Sequence, residues 1–228
     1  MPGKHPYQLI TFDVYSALFD VESSLAPRIT ETIPIVPDSI GFVRAWRRKQ
    51  LEYALISNSL QGKRISFEII TRRSLDDTLA RAGQDVPEPA RTALVETWRE
   101  LVPWPETAEV LRALKKRGYT LGLLSNGDTS MLRALLKKLP HVITHAFSSQ
   151  QAGYYKPHFS VYSLPLQSLD LKAGDVLHVA GSPTDVLGAK AAGLPCIWSN
   201  REQQPHLDPS YLADYEVSDL TGLLKILE

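Results

Sequence analysis

A handful of side chains in this sequence stand where an apolar run gives way to polar groups, and their types could do chemistry on a small anionic molecule. Asp13 ends the run Gln8-Leu9-Ile10-Thr11-Phe12, which is how a parallel strand presents a carboxylate nucleophile on a turn at its carboxyl edge. A carboxylate in water has a pKa of about 3.9 and attacks poorly, so Asp13 needs a partly desolvated site and a cation to position it. Lys156, set just before Pro157, is the candidate cation. Ser125 and Asn126 close a second apolar run, where backbone amides and small polar side chains can hold an anion. The same Ser-Asn-Gly-Asp letters also read as a turn and cap leading into a helix over residues 130–138. Asp185 has a similar double reading, because Ser182-Pro183-Thr184-Asp185 forms a capping box with proline in the first turn and Gly193 as its stop. Arg47 is placed by wheel arithmetic in the middle of a helical stripe made by Ile40, Val43, Leu51 and Ala54, and a cation there needs an anionic partner.

The elements that must position these groups follow from periodicity. Strand-like runs at residues 8–13, 120–125, 176–180 and 195–199, with a weaker one at 142–147, alternate with helical stretches, which predicts a parallel sheet with right-handed crossovers. About ninety residues of helical periodicity, with no convincing strand, separate the first strand from Pro103, far too many for a simple crossover. They read as an inserted helical cap, followed by the stiff return Leu101-Val102-Pro103-Trp104-Pro105 and a helix from Glu106 to Arg117 stopped by Gly118. Lys156-Pro157 is expected to open a helix that kinks or ends early at Pro165.

Composition excludes several classes. Lys plus Arg and Asp plus Glu number 25 each among 228 residues, so no global field draws the chain to nucleic acid or an anionic membrane. Any anion recognition must be local. No apolar stretch approaches the roughly 20 residues that span a bilayer, and the opening residues lack a signal-peptide pattern, which predicts a cytoplasmic protein. The one cysteine, Cys196, lies in an apolar run that reads as a buried strand and rules out a disulfide within the chain.

Asp13, Ser125, Lys156 and Asp185, in that order, resemble the four motifs of the haloacid dehalogenase superfamily, which converge at one end of a Rossmann-like sheet. Phosphatase members carry a second Asp two residues after the nucleophile and read Gly-Asp-Ser in the last motif; here those positions are Tyr15 and Gly181. The chain is more similar to the metal-free 2-haloacid dehalogenase branch, and Trp46-Arg47-Arg48-Lys49-Gln50-Leu51-Glu52-Tyr53 resembles the cap segment that carries that branch's essential Arg. The resemblance implies an α/β chain with a Rossmann-like parallel core at residues 1–18 and 99–228 and a helical cap at 19–98. It further implies hydrolysis of a small anionic substrate, an (S)-2-haloalkanoic acid, to the (R)-2-hydroxy acid through an aspartyl ester, with no cofactor or metal and a homodimer as the assembly. Asp13 would be the nucleophile, Lys156 its electrostatic partner, Arg47 and Asn126 the halide cradle, Ser125 the carboxylate contact and Asp185 the water-activating base. Val14, Tyr15 and Ser182 would complete the substrate pocket. Two departures stand out: Ser16-Ala17 replaces the branch's Gly-Thr, and Ala180-Gly181-Ser182 its Ser-Ser-Asn. The segment between Tyr53 and Phe67 also carries one extra residue. A Mg²⁺-dependent phosphatase of the same fold, and a degenerate binding protein without turnover, are the rival readings.

Overall fold

A computed structural model describes residues 6–33, 36–60, 62 and 64–228. Its core is a six-stranded, all-parallel sheet of spatial order β5-β4-β1-β6-β7-β8. The strands are β1 (Leu9–Phe12), β4 (Thr120–Ser125), β5 (Ile143–Ser148), β6 (Val176–Ala180), β7 (Cys196–Ser199) and β8 (Tyr215–Val217). Every residue of β1, β6 and β7 is buried, because helices cover both faces; such strands read as continuous rather than alternating apolar runs. The short β8, mostly exposed at the sheet edge, has no such run and escapes a periodicity reading.

The position of β1 matters most. It pairs with β4 on one side and β6 on the other, with Phe12 level with Leu123 and Val179. The connections leave in opposite directions from this point, which opens a crevice at the carboxyl ends of the three central strands. Directly after Asp13 the chain makes one wide turn, Val14–Leu18, closed by a bond from the Phe19 N–H to the Val14 carbonyl. Such i→i+5 turns are uncommon and recur at functional sites.

The long segment after it is helical: α1 (Val21–Thr32), α2 (Ser39–Ser59), α3 (Phe67–Arg81) and α4 (Glu88–Glu96). Its ends carry two short strands that the sequence reading lacks. Phe19–Asp20 (β2) and Val102–Pro103 (β3) pair antiparallel, so the segment leaves and re-enters the core at adjacent points. Beyond it, α5 (Thr107–Lys116) ends at Gly118, whose φ of +96° is a backbone that glycine adopts without strain. The remaining helices are α6 (Thr129–Leu136), α7 (Ser149–Ala152), α8 (Phe159–Leu169), α9 (Pro183–Ala191) and α10 (Leu223–Ile226).

Two expectations need correction and a third is narrowed. Lys156 does not open a helix: it lies in a loop, with α7 and the left-handed Gly153 between it and β5, and α8 starts at Phe159 behind the cap His158. Of the two outcomes expected at Pro165, a kink or an early end, the early end does not occur: α8 continues to Leu169. The buried stripe of α2 is Phe42, Val43, Trp46, Gln50, Ala54 and Ser57. Ile40 is exposed and Leu51 only partly buried, so Arg47 flanks the stripe instead of occupying its middle. Trp46 turns the helix this way by taking the packing position and donating from its indole N–H to the Thr71 carbonyl at 2.9 Å.

Candidate active site

Asp13 projects from the end of β1 with 8% of its surface exposed, and its own N–H is held by the Val179 carbonyl at 2.9 Å. The Lys156 ammonium lies 3.2 Å from Asp13 Oδ1 and 3.0 Å from Asp185, so one buried cation bridges two buried carboxylates. Lys156 is placed by its backbone: its N–H donates to Asn126 Oδ1 at 2.8 Å, tying the loop before α8 to the end of β4. Tyr155, one residue earlier, is gripped on both sides by Asn58, which accepts from its N–H at 2.8 Å and donates to its carbonyl at 2.9 Å.

Asp185 settles its double reading through geometry. Ser182 does cap α9, accepting from the Asp185 N–H at 3.3 Å, so the backbone half of the expected box forms. The Asp185 carboxylate does not return the bond. It turns inward, accepting from the Tyr162 hydroxyl at 2.8 Å, from Lys156 and from His178 Nε2 at 3.0 Å. Burial alone would raise the Asp185 pKa, but Lys156 and His178 outweigh it and hold the carboxyl well below the ordinary carboxylate range. Neither His178 nor Tyr162 is among the sequence candidates. His178 had a signal: an imidazole inside Val-Leu-His-Val-Ala, a strand buried on both faces, must find partners or cost several kcal/mol. Tyr162 had none.

The opposite wall comes from the helical segment. The Arg47 guanidinium stacks 5.3 Å from the Tyr15 ring centre and 5.7 Å from that of Trp98, and donates to Gln50 Oε1. Gln50 is in turn fixed by donating to Thr71 Oγ1 at 2.6 Å. Desolvation pulls the Arg47 pKa down while Asp13 and Tyr15 oppose it. An aromatic layer of Trp46, Trp98, Tyr15, Phe67 and Tyr155, with successive ring centres 5.2–6.0 Å apart, seals this side. Several donors facing the region are unspent among the described residues. The Tyr15 hydroxyl and Trp98 indole N–H are buried without partners. Ser125 Oγ accepts from the Gly127 N–H at 3.1 Å but donates to nothing, and the Asn126 amide N–H groups likewise have no acceptor.

Gly181 bears on metal binding. A Cβ there would lie 2.5 Å from the Ala17 nitrogen and 2.9 Å from Asp13 Oδ2. The backbone leaves no room for the carboxylate with which phosphatases of this fold complete a Mg²⁺ site, and Tyr15 fills the place of their second acid. The residues present therefore do not fit that ion, which requires near-octahedral oxygen ligands.

The structure thus gathers Asp13, Tyr15, Asn126, Ser125, Lys156 and Asp185 at the carboxyl end of the sheet, with Arg47 reaching them from α2. Val14 is buried in the wide turn beside Asp13, and Ser182 serves as the α9 cap. The family model for haloacid dehalogenase-like hydrolases matches residues 7–193. The chain belongs to this family. It is 33% identical to an (S)-2-haloacid dehalogenase of Pseudomonas sp. (strain YL) over 96% of its length and 94% of the relative's. It is 35% identical to haloacetate dehalogenase H-2 of Moraxella sp. (strain B), covering 85% and 86%. A crystal structure of an L-2-haloacid dehalogenase superposes with a TM-score of 0.91 at 27% identity, over 97% of this chain and 98% of that one. Within this hydrolase family the α/β sheet and the inserted helices are therefore shared with dehalogenases across nearly the whole chain.

Proposed function

We propose that this hydrolase displaces halide from small (S)-2-haloalkanoic acids, giving (R)-2-hydroxy acids through an ester on Asp13. The observation that carries this reading is the buried Asp13 carboxylate paired with Lys156 at 3.2 Å, with the Arg47 guanidinium of α2 over the ring of Tyr15, two residues along the chain from Asp13. One cation aligns the nucleophile; the second awaits an anion. In the first step an Asp13 oxygen attacks C2 from the face opposite the halogen, the C–O bond forms, and the halide departs with the bonding pair toward Arg47 and Asn126. Ser125, with its unspent O–H, would hold the substrate carboxylate, and Tyr15 and Val14 would wall the pocket. In the second step water adds to the Asp13 carbonyl carbon, the acyl C–O bond breaks, and one water oxygen stays in Asp13. One of the water's protons ends on the product hydroxyl and the other leaves to solvent. Asp185 would hold that water beside Lys156, and Ser182 would keep Asp185 in place at the start of α9.

The steric closure at Gly181 supports a reaction that proceeds without Mg²⁺, against the phosphatase reading. We further take residues 19–98 as the cap and 1–18 with 99–228 as the core, and place the protein in the cytoplasm as a homodimer, its one cysteine buried. Among the described residues no helix is long and apolar enough to cross a membrane. The test is halide release from (S)-2-chloropropionate with and without excess EDTA, followed by a single turnover in H₂¹⁸O with enzyme in excess. Halide release that survives EDTA, with the label in the peptide containing Asp13, is expected. Label in the first hydroxy acid released would show that water attacks C2 directly and that Asp13 acts only as a base.

A further inference from the structure

We infer that His178 is a positioning residue for ester hydrolysis, acting through Asp185 to keep Lys156 beside the esterified Asp13. The inference rests on the dehalogenase reading above. His178 is wholly buried in the central strand β6, and its ring meets Asp185 Oδ2 at 3.0 Å and Lys156 Nζ at 3.4 Å from Nε2, Thr11 Oγ1 at 2.9 Å from Nδ1, and the edge-on Tyr162 ring at 5.8 Å. A carboxylate 3.0 Å from Nε2 requires a proton between them, so Nε2 donates to Asp185, and in the neutral ring Nδ1 accepts from the Thr11 hydroxyl. With Tyr162 on Oδ1 and His178 on Oδ2, the Asp185 carboxylate is clamped at both oxygens.

The clamp matters when Asp13 becomes an ester. In the free enzyme Lys156 is held between Asp13 and Asp185. Alkylation removes the charge of Asp13, and Asp185 is then the carboxylate left beside the ammonium. A freely rotating Asp185, which Lys156 already meets at both oxygens at 3.0 Å, would carry the ammonium with it away from the ester. That would strip the carbonyl of the cation that stabilises the oxyanion formed when water adds. With the clamp in place Asp185 cannot turn, and Lys156 stays near the acyl oxygen. The first step needs no such restraint, because ionised Asp13 itself holds Lys156.

His178→Leu keeps the ring's approximate volume and removes the donor; His178→Gln places an amide N–H at the same reach along the side chain as Nε2. Rapid-quench kinetics on (S)-2-chloropropionate, with mass spectrometry of the Asp13 peptide, separates halide release from ester hydrolysis. Expected for His178→Leu is a halide burst near the wild-type rate, an accumulating Asp13 ester and hydrolysis slowed about 10- to 100-fold, the range for loss of such supporting partners. His178→Gln should recover hydrolysis to within a few-fold of wild type. Equal slowing of both steps, unchanged kinetics in His178→Leu, or no recovery by glutamine in a folded protein would overturn the inference. Should His178→Leu not fold, the glutamine variant decides alone: near-wild-type hydrolysis supports the clamp and an accumulated ester contradicts it. Wild-type enzyme releasing no halide from any 2-haloacid would instead overturn the dehalogenase reading, and this inference with it.

Discussion

At Arg47 a flat cation lies against two aromatic rings while donating to Gln50, and both interactions depend on the guanidinium plane. A lysine ammonium is a point charge that cannot stack and fork at once. Arg47→Lys is therefore expected to lower kcat/KM for 2-haloacids by at least about 100-fold, or about 2.7 kcal/mol of transition-state stabilisation, with the thermal midpoint within a few degrees of wild type. Kinetics at wild-type level would reduce Arg47 to a packing residue. Gly181 makes the complementary point about space. Its missing side chain leaves room for the Ala17 nitrogen and Asp13 Oδ2, which would lie only 2.5 and 2.9 Å from a Cβ at this position. Gly181→Ala must displace backbone as well as the nucleophile, so it should cost about 1–3 kcal/mol in urea denaturation, as overpacking does, and also abolish halide release. Full activity in that variant would show that the turn after Asp13 yields freely.

The connection between α2 and α3 is fastened to the core by a second buried ion pair. Arg64, from that connection, donates to Asp128 Oδ1 at 2.8 Å, to the Asn126 carbonyl at 3.1 Å and to Ser149 Oγ at 2.9 Å, and its guanidinium lies 4.0 Å from the Tyr155 ring centre. Asp128 also accepts from the Glu68 N–H at the start of α3. Both side chains are over nine-tenths buried, so removing one partner strands the other's charge. Arg64→Met is expected to destabilise the fold by about 3–5 kcal/mol, with much of the loss recovered in Arg64→Met/Asp128→Leu; chemical denaturation of both variants and of Asp128→Leu gives the coupling. Additive losses would mean the two side chains act independently. The four central strands and the helices around them were legible because each is a continuous apolar run or a 3.6-residue pattern bounded by glycine or a cap. The two-residue strands β2 and β3 and the exposed β8 carry too few residues to show a period. Asp13, Lys156 and Asp185 were legible as a set through their order along the chain, whereas Lys156's place in a loop was not, because its position is fixed by Asn58 and Asn126, contacts distant in sequence. The α2 stripe was misjudged by one helical position because the wheel counts Ile40 and Leu51 as core without seeing that Trp46 claims the packing site. Arg64 looked like any basic loop residue, since only the fold reveals that Asp128 lies beneath it. The segment around it includes Gln61 and Lys63, which lie outside the described residues.

Across the molecule, the Asp185 carboxylate buried at the sheet end contributes to the response to acid. The Asp185 carboxyl titrates well below its ordinary range when folded, whereas in the unfolded chain it takes up a proton near pH 3.9. A depressed folded-state pKa contributes stability that is complete above the unfolded value and is lost as pH falls below it. Wild-type protein should therefore lose stability steadily from about pH 4 downward, and Asp185→Asn, already weaker at pH 7, should lose less over that interval. Thermal midpoints of both proteins between pH 3 and 7 check this; parallel curves would show that Asp185 is not the group responsible.

The pairing of Asp20 with Val102 has a consequence of another kind. These residues face each other across two antiparallel strands, so the first and last residues of an eighty-residue excursion stand about 5 Å apart, a gap that one tight turn spans. The strands consequently meet the excursion as a hairpin whose loop happens to be very long, with Asn58 and Arg64 tying that loop to the segments beneath it. A helical segment of different length or shape can be grafted at the same doorway without altering the register of β1, β4 or β6. The half of the site that carries the nucleophile thus keeps its strand register while the half that carries Arg47 diverges: a graft that preserved the Asn58 and Arg64 contacts would change what is admitted and leave Asp13 where the strands put it.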